Sequence, residues 1–242
     1  MSDRDLWEAH AQWWQDGFTE GADPEYDEQI IPLAAEHLAG ARRVLDIGCG
    51  EGQISRVAQR AGAEFAFGVD VSAAQVGEAK HRGGGPVYAR AEASALPCVL
   101  QSFDAVVACL VFEHIVDVDS AIAEVGRVLE PGGRFLFFLN HPLLQTPGSG
   151  WIDDHIIDPP EQYWRIGPYL VESIEIEEIA KDVHLPFVHR PLSRYVNAMA
   201  AAGIVIRQMH EPAPPPGFID RANEYADAAT IPRLLFMHCE RT

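Results

Sequence analysis

Basic residues are scarce in this 242-residue chain: 18 Lys and Arg stand against 36 Asp and Glu, a formal charge of −18. A phosphate backbone needs a basic footprint, and no run of basic residues is longer than Arg42-Arg43, so nucleic acid is not expected as a partner. A small molecule, neutral or cationic, meets no such repulsion. Cysteine is sparse too. Cys49, Cys98, Cys109 and Cys239 form no C-x-x-C pair, and no basic-apolar-small leader opens the chain. The expectation is reduced thiols in a cytoplasmic protein. No apolar run approaches the roughly 18 residues of a bilayer span, so no membrane partner is expected. There is no internal repeat. What is plentiful is apolar side chain, 48% of residues. That is enough to bury a core and to exclude a disordered tail or a disulfide mini-protein.

The opening LWEAHAQWWQDGF sets Leu6, Trp7, His10, Trp13, Trp14 and Phe18 near helical spacing, and a second helix is predicted over 27–38. The texture then changes. RRVLDIGCG at 42–50 reads as a buried strand ending in a glycine turn, followed by a helix over 53–61. Strands are predicted over 64–70, 86–90, 102–112 and 134–140, with helices over 73–81 and 119–129 and a turn at EPGG, 130–133. Ser72 suits an N-cap and Gly83-Gly84-Gly85 a stop. Such alternation means a parallel sheet with crossover helices. Residues 141–190 are rich in Pro, Gly, Trp and Asp, with one hairpin predicted from LVESIEIEEI and KDVHLPFVH. A helix over 192–202, a strand at 204–212, a polyproline connection at 212–218 and a final strand at 230–241 complete the chain. The expected organisation is one domain: a helical N-terminal cover (1–40), a core (41–140), an inserted cap (141–190), and a C-terminal helix and strands (191–242).

The most informative stretch is VLDIGCGEGQ. Gly48 allows a sharp turn, Gly50 leaves room for a ligand to touch backbone, and the following helix start offers N–H groups. Asp70 ends the second strand 20 residues after Gly50. In a doubly wound sheet an acid there accepts from both hydroxyls of a ribose; its bland alternative is a cap on the next helix. The dinucleotide fingerprint needs a glycine at 53, where Gln53 stands, and Glu51 places a negative charge where a pyrophosphate would lie. A nucleoside without a diphosphate is favoured.

On these residues the chain resembles the class I S-adenosylmethionine-dependent methyltransferases, particularly the small-molecule group that includes ubiquinone and sugar O-methylating enzymes. VLDIGCGEGQ is similar to their first motif, GVDVSAAQV to the second, AEASALP at 91–97 to the third, FDAVVACLVFEHI to the fourth strand, and VLEPGGRFLFF to the turn into the fifth. The resemblance covers about residues 40–140. It implies a Rossmann-like α/β fold, a doubly wound, mostly parallel seven-stranded sheet in the order 3-2-1-4-5-7-6. The cofactor implied is S-adenosyl-L-methionine. Asp46 and Gly48 would lie near the methionine moiety, with Cys49 and Gln53 in the same turn, and Gly50 near the ribose. Asp70 would hold the ribose hydroxyls and Val71 flank the adenine. Glu92, where Asp is commoner, and Ala93 would face the adenine amine. Cys109 would end the fourth strand as a small residue lending backbone rather than a nucleophile, followed by Leu110 and His114.

Methyl transfer from a sulfonium chiefly needs alignment, and a hydroxyl acceptor also needs a base, for which histidine suits neutral pH. His141 is the first candidate, with His114 and His189 behind it. The alternatives are a wall residue for His114, a backbone-bonding residue for His141 and a brace for the next helix for His189. Trp7, Trp13, Trp14 and Tyr26 either close over a cofactor or simply pack. Trp151, Tyr163, Trp164 and Tyr169 either receive a flat acceptor or anchor the cap. Asp153, Asp154, His155 and Asp158 lack regular ligand spacing and are read as a solvated loop, so no metal is expected. The expected reaction is transfer to O, N or C of a small molecule, O favoured. The rivals are a nicotinamide-dependent oxidoreductase on the same sheet and a non-catalytic cofactor-binding regulator. A homodimer is left open.

Overall fold

A computed structural model describes residues 3–222, 225 and 227–242. The chain starts with two short helices, α1 (Asp3–Ala9) and α2 (Ala11–Phe18), and a π-helical turn (Tyr26–Ile30) that runs into α3 (Ile31–Leu38). Then β1 (Arg43–Ile47), α4 (Gln53–Arg60), β2 (Phe65–Asp70), α5 (Ala73–Arg82), β3 (Val87–Arg90) and β4 (Phe103–Cys109) follow. A 3₁₀ turn (Phe112–His114) leads to α6 (Val118–Val128) and β5 (Leu129–Asn140). Four strands come next: β6 (Gly150–Asp154), β7 (Glu161–Arg165), β8 (Ser173–Ala180) and β9 (Val183–His189). The chain ends with α7 (Leu192–Ala201), β10 (Ile204–His210), α8 (Pro216–Arg221), a 3₁₀ turn (Ala228–Thr230) and β11 (Leu234–Arg241).

Seven strands form one sheet in the order β10-β11-β5-β4-β1-β2-β3. β1 to β5 are parallel, and β11 runs antiparallel to both its neighbours. Read from the other edge, this is the predicted 3-2-1-4-5-7-6 order with one reversed strand. β4 shows why the sheet is sandwiched. Val106 and Ala108 join the core under α6 and α7, while Ala105, Val107 and Cys109 join the core under α3 and α4. A strand buried on both faces therefore reads as an unbroken apolar run. α6 buries Val118, Ala121, Ile122, Val125 and Val128, the i, i+3, i+4 stripe of an amphipathic helix. Asp117 caps it by accepting from Ser120 N at 3.1 Å. No helix among the described residues is long and apolar enough to cross a membrane.

Several elements differ from the sequence expectation. The first helix breaks at His10, whose Nε2 accepts from His184 N of β9 at 3.3 Å, so the break is where the cover meets the inserted strands. The EPGG turn is absorbed into β5. The strand begins at Leu129 opposite Phe103, slips, and resumes at Arg134 opposite Ala105, with Gly132 at φ +77° taking the irregularity. β4 ends at Cys109 rather than 112 because Leu110 turns to φ +52°. The polyproline stretch becomes α8 from Pro216, the residue type that starts helices without losing a needed donor. The strands expected at 204–212 and 230–241 shorten to β10 and β11. The inserted stretch holds two antiparallel hairpins, the predicted β8–β9 and also β6–β7, where Trp151 faces Trp164 and Ile152 faces Tyr163.

Candidate functional site

The order reverses between β1 and β4, and in an open α/β sheet ligands bind outside the carboxyl ends of the strands at that point. The described residues form a crevice of about 410 Å³ there. Its floor is the turn after β1. Gly48 N and Cys49 N both donate to Val69 O, at 2.8 and 2.9 Å, which locks the turn onto β2. The three glycines of the turn have different tasks. Gly48 and Gly52 lie at φ +68° and +86°, and a Cβ at either would collide with Val111 or with the Tyr88 ring. These are packing requirements. Gly50, at φ +53°, faces open space: a methyl there would meet only Trp14 Nε1, 3.9 Å away.

Asp70, at the tip of β2, is held by backbone donors. Its Oδ2 accepts from Gly50 N at 2.9 Å and its Oδ1 from Ser72 N at 2.8 Å. Each oxygen keeps one lone pair in reserve. Burial pushes this carboxyl up, opposed by those two N–H groups. Asp46, 2% exposed, accepts from Ser55 Oγ at 2.6 Å, and burial raises it to about 7. Glu51 does not present a charge to a ligand phosphate as the sequence suggested. Its carboxylate is buried and paired with Arg56 and Arg82, so Glu51 does not by itself repel a pyrophosphate. Gln53 lines the crevice and reaches α2's end, accepting from Glu20 N at 3.4 Å. Val71, Glu92 and Ala93 line the far end, with Glu92 exposed.

The opposite wall is aromatic. Trp7, Trp14, Phe18 and Tyr26 reach in from the N-terminal elements and Cys109, Leu110 and Val111 from the end of β4. The Cys109 thiol is buried 3.8 Å from Tyr26 Oη and pushed far up by desolvation, which removes it as a nucleophile. Trp13 is not part of the lining; it packs edge-on against Trp14 and Phe18. The cover is fastened at the rim by Glu8. Its carboxylate accepts from Ser72 Oγ at 2.8 Å, Ala73 N at 2.6 Å and Ala74 N at 3.2 Å, capping α5 beside Asp70. Nothing in the local sequence marks Glu8, because its partners are more than 60 residues away.

The three histidines part company. His114 lines the crevice. Its Nδ1 lies 2.7 Å from Pro186 O, which can only accept, so the proton sits on Nδ1 and the lone pair on Nε2. The ring is packed edge-on against Trp7 and Phe187, at centroid distances of 4.7 and 4.6 Å, and burial lowers it to about 4. His141, the first candidate for the base, lies outside the crevice lining. β11 pairs along the whole end of β5, and His141 N donates to Arg233 O at 2.7 Å. Its Nε2 meets Glu211 Oε1 at 2.7 Å and its Nδ1 accepts from Leu143 N at 3.2 Å, so both nitrogens are engaged elsewhere. His189 also lies outside the crevice lining, its Nε2 donating to Tyr169 O at 2.8 Å. Trp151, Tyr163, Trp164 and Tyr169 also stay away. Trp151 stacks on Tyr225 at 5.0 Å, and Tyr169 Oη accepts from Leu192 N at 2.9 Å, so these two hold the insertion in place.

A methyltransferase-domain family model matches residues 45–137, the stretch that builds the glycine turn, Asp70 and β4. A ubiquinone biosynthesis O-methyltransferase of Mesorhizobium japonicum is 36% identical over 117 residues, 46% of this chain and 46% of that protein. A demethylmenaquinone methyltransferase of Thermobifida fusca is 33% identical over 169 residues, 62% of this chain and 67% of that protein. The crystal structure of an S-adenosylmethionine-dependent methyltransferase from Mesorhizobium loti superposes with a TM-score of 0.73 at 29% identity, covering 88% of this chain and 96% of that one. The chain spans about half the length of the first curated relatives it matches.

Proposed function

The chain belongs to the class I S-adenosylmethionine-dependent methyltransferases, and we propose that it transfers the methyl group of S-adenosylmethionine to an oxygen atom of a small molecule. The observation that carries this reading is Asp70. A half-buried carboxylate fixed by two backbone donors, with lone pairs to spare, stands at the rim of a crevice whose neighbour Gly50 has no side chain. Those features fit a ribose with two hydroxyls. Asp46 and the Gly48–Gly50 turn would hold the amino-acid end, and Val71, Glu92 and Ala93 the adenine. When bound, the cofactor supplies a methyl group on a positive sulfur, a good leaving group.

The chain's own part is then alignment and proton traffic. Aromatic and aliphatic side chains line the wall opposite the glycine turn, and an apolar wall strengthens each polar contact beside it. Of the three candidate histidines only His114 lines the crevice, so it replaces His141 as the proposed base, the Pro186 carbonyl leaving the lone pair on Nε2. A carboxylate-rich surface of −18 keeps nucleic acid out of the substrate range, and we place the protein in the cytoplasm. The test is a screen of metabolite pools for mass gains of one methyl that depend on S-adenosylmethionine. Wild-type protein is expected to produce such a gain and Asp70→Ala to lose it. No methylated product from any pool, with the cofactor bound, favours a regulatory binding module. Stabilisation by NADH but not by S-adenosylhomocysteine contradicts the proposal.

A further inference from the structure

The stretch HRPLSRY, from His189 to Tyr195, joins the inserted strands to α7 and lies outside the crevice lining. Its Arg190 is nevertheless only 3% exposed. Among the described residues the guanidinium forms no ion pair. It donates instead to three main-chain carbonyls: Nη1 to Phe112 O at 3.4 Å, and Nη2 to Ile115 O at 2.7 Å and Val116 O at 2.6 Å. All three belong to the turn after β4, and they bracket His114. Ile115, Val116 and Asp117 line the crevice together with His114.

A buried charge costs desolvation, so it is weak evidence for stability alone. What a guanidinium adds is direction, because its planar fork fixes the donors relative to one another. Three carbonyls caught by one fork are held in one main-chain shape. Arg190 is itself held: it lies over the Tyr195 ring of α7, 5.9 Å from the centroid, and its neighbour His189 is tied to Tyr169 O. β9 also supplies Pro186 O to His114 Nδ1. The main chain around residue 114 and its ring are thus both set from β9 and the residue that follows it, while Glu113 ties the same turn to the core through Asn140.

We infer that Arg190 is a positioning residue for methyl transfer: it touches no reactant, and it fixes the main chain of 112–116 so that the His114 ring meets Pro186 O and keeps its lone pair on Nε2. This rests on the methyltransferase reading above and deepens it, by giving the inserted strands a share in placing the base. Lysine separates geometry from charge. Arg190→Lys keeps a cation beside the turn but replaces the fork by a single ammonium.

The test uses full-length, isotope-labelled protein saturated with S-adenosylhomocysteine, with the tautomer of His114 read by NMR and its signals identified by their loss in His114→Asn. The wild-type ring is expected as one tautomer near neutral pH, protonated at Nδ1. In Arg190→Lys the ring should become a mixture of tautomers, with S-adenosylhomocysteine affinity within about twofold of wild type because the cofactor half keeps its own contacts. With an acceptor from the metabolite screen, kcat should fall about tenfold or more while KM for S-adenosylmethionine holds within about twofold. If Arg190→Lys does not fold, Tyr195→Phe, which removes the hydroxyl bonded to the guanidinium, is read in the same way and should give a smaller shift. The wild-type tautomer retained in a folded variant, whatever its melting temperature, marks a merely structural arginine and overturns the inference. So does an unchanged kcat, or a wild-type ring already in mixed tautomers. Failure of S-adenosylhomocysteine to bind the wild-type protein is a different result, and defeats the methyltransferase reading beneath it.

Discussion

The two halves of the crevice are built by different means. The cofactor half comes mainly from one contiguous stretch, β1 through Val71, joined at its far end by Glu92 and Ala93, and it is shaped by hydrogen bonds of backbone N–H groups within about 20 residues: Gly48 and Cys49 to Val69 O, Gly50 to the Asp70 carboxylate. The acceptor half is brought together from α1, the turn after β4, and β9. His114 meets Pro186 72 positions away, and His184 meets His10 174 positions away. A site written into a single turn is rigid and local. A site assembled from three segments depends on every one of them docking, and tolerates change in each.

The difference can be pressed experimentally, and the cofactor half should give the larger effects. Asp70→Ala removes the proposed ribose acceptor and orphans two backbone donors. S-adenosylhomocysteine affinity should fall about 100-fold by calorimetry, since hydrogen bonds to a charged group are worth roughly 1.5–3 kcal/mol each. Within the same turn, Gly52→Ala should cost about 2 kcal/mol of stability, because its Cβ would strike Tyr88 at a left-handed φ. Gly50→Ala should lose ligand affinity with a smaller drop in melting temperature. If the two variants behave alike, the division between a packing glycine and a ligand-facing glycine is wrong.

The seam between the halves carries a pH signature. Glu113, 2% exposed, accepts from Asn140 Nδ2 at 2.9 Å through one oxygen while its other has no partner, and burial raises it from 4.5 to about 7. The folded protein thus binds the proton more tightly than the unfolded chain. The neutral carboxyl contributes fully below pH ~4.5, and its contribution is lost as pH rises through about 7. Asp46 acts in the same direction. Glu113→Gln should therefore shrink the loss of stability between acidic and mildly alkaline pH by roughly 1–2 kcal/mol in denaturant titrations; an unchanged pH profile would exclude this assignment. The smallest effect is expected at the cover. Glu8→Gln weakens the cap on α5 and should raise the cofactor dissociation rate about fivefold, for roughly 1 kcal/mol of lost capping, with little change in melting temperature.

The same contrast governs what could be read from the sequence. Strand order, the glycine turn and the place of Asp70 were legible because each is a local pattern: an apolar run, a turn residue, an acid at the next strand's tip. The pairing of Glu51 is not legible, since nothing near it in sequence announces Arg82. His141 follows a strand at the correct end of the sheet, which is all that the local sequence shows of it. The pairing of β11 with that strand's last residues, which carries His141 out of the lining, is a contact across about 95 positions. The β6–β7 hairpin was hidden by its prolines and acids, and is held by a Trp151–Trp164 pair that only the register reveals. Glu8 has no local signal at all.

A crystal structure of the protein grown with S-adenosylhomocysteine puts the central claim to the shortest test. Both ribose hydroxyls are expected within hydrogen-bonding distance of the Asp70 carboxylate, with the amino-acid end over Asp46 and Gly48. A nucleoside bound elsewhere, or Asp70 touching only Gly50 and Ser72 beside an ordered ligand, would contradict it.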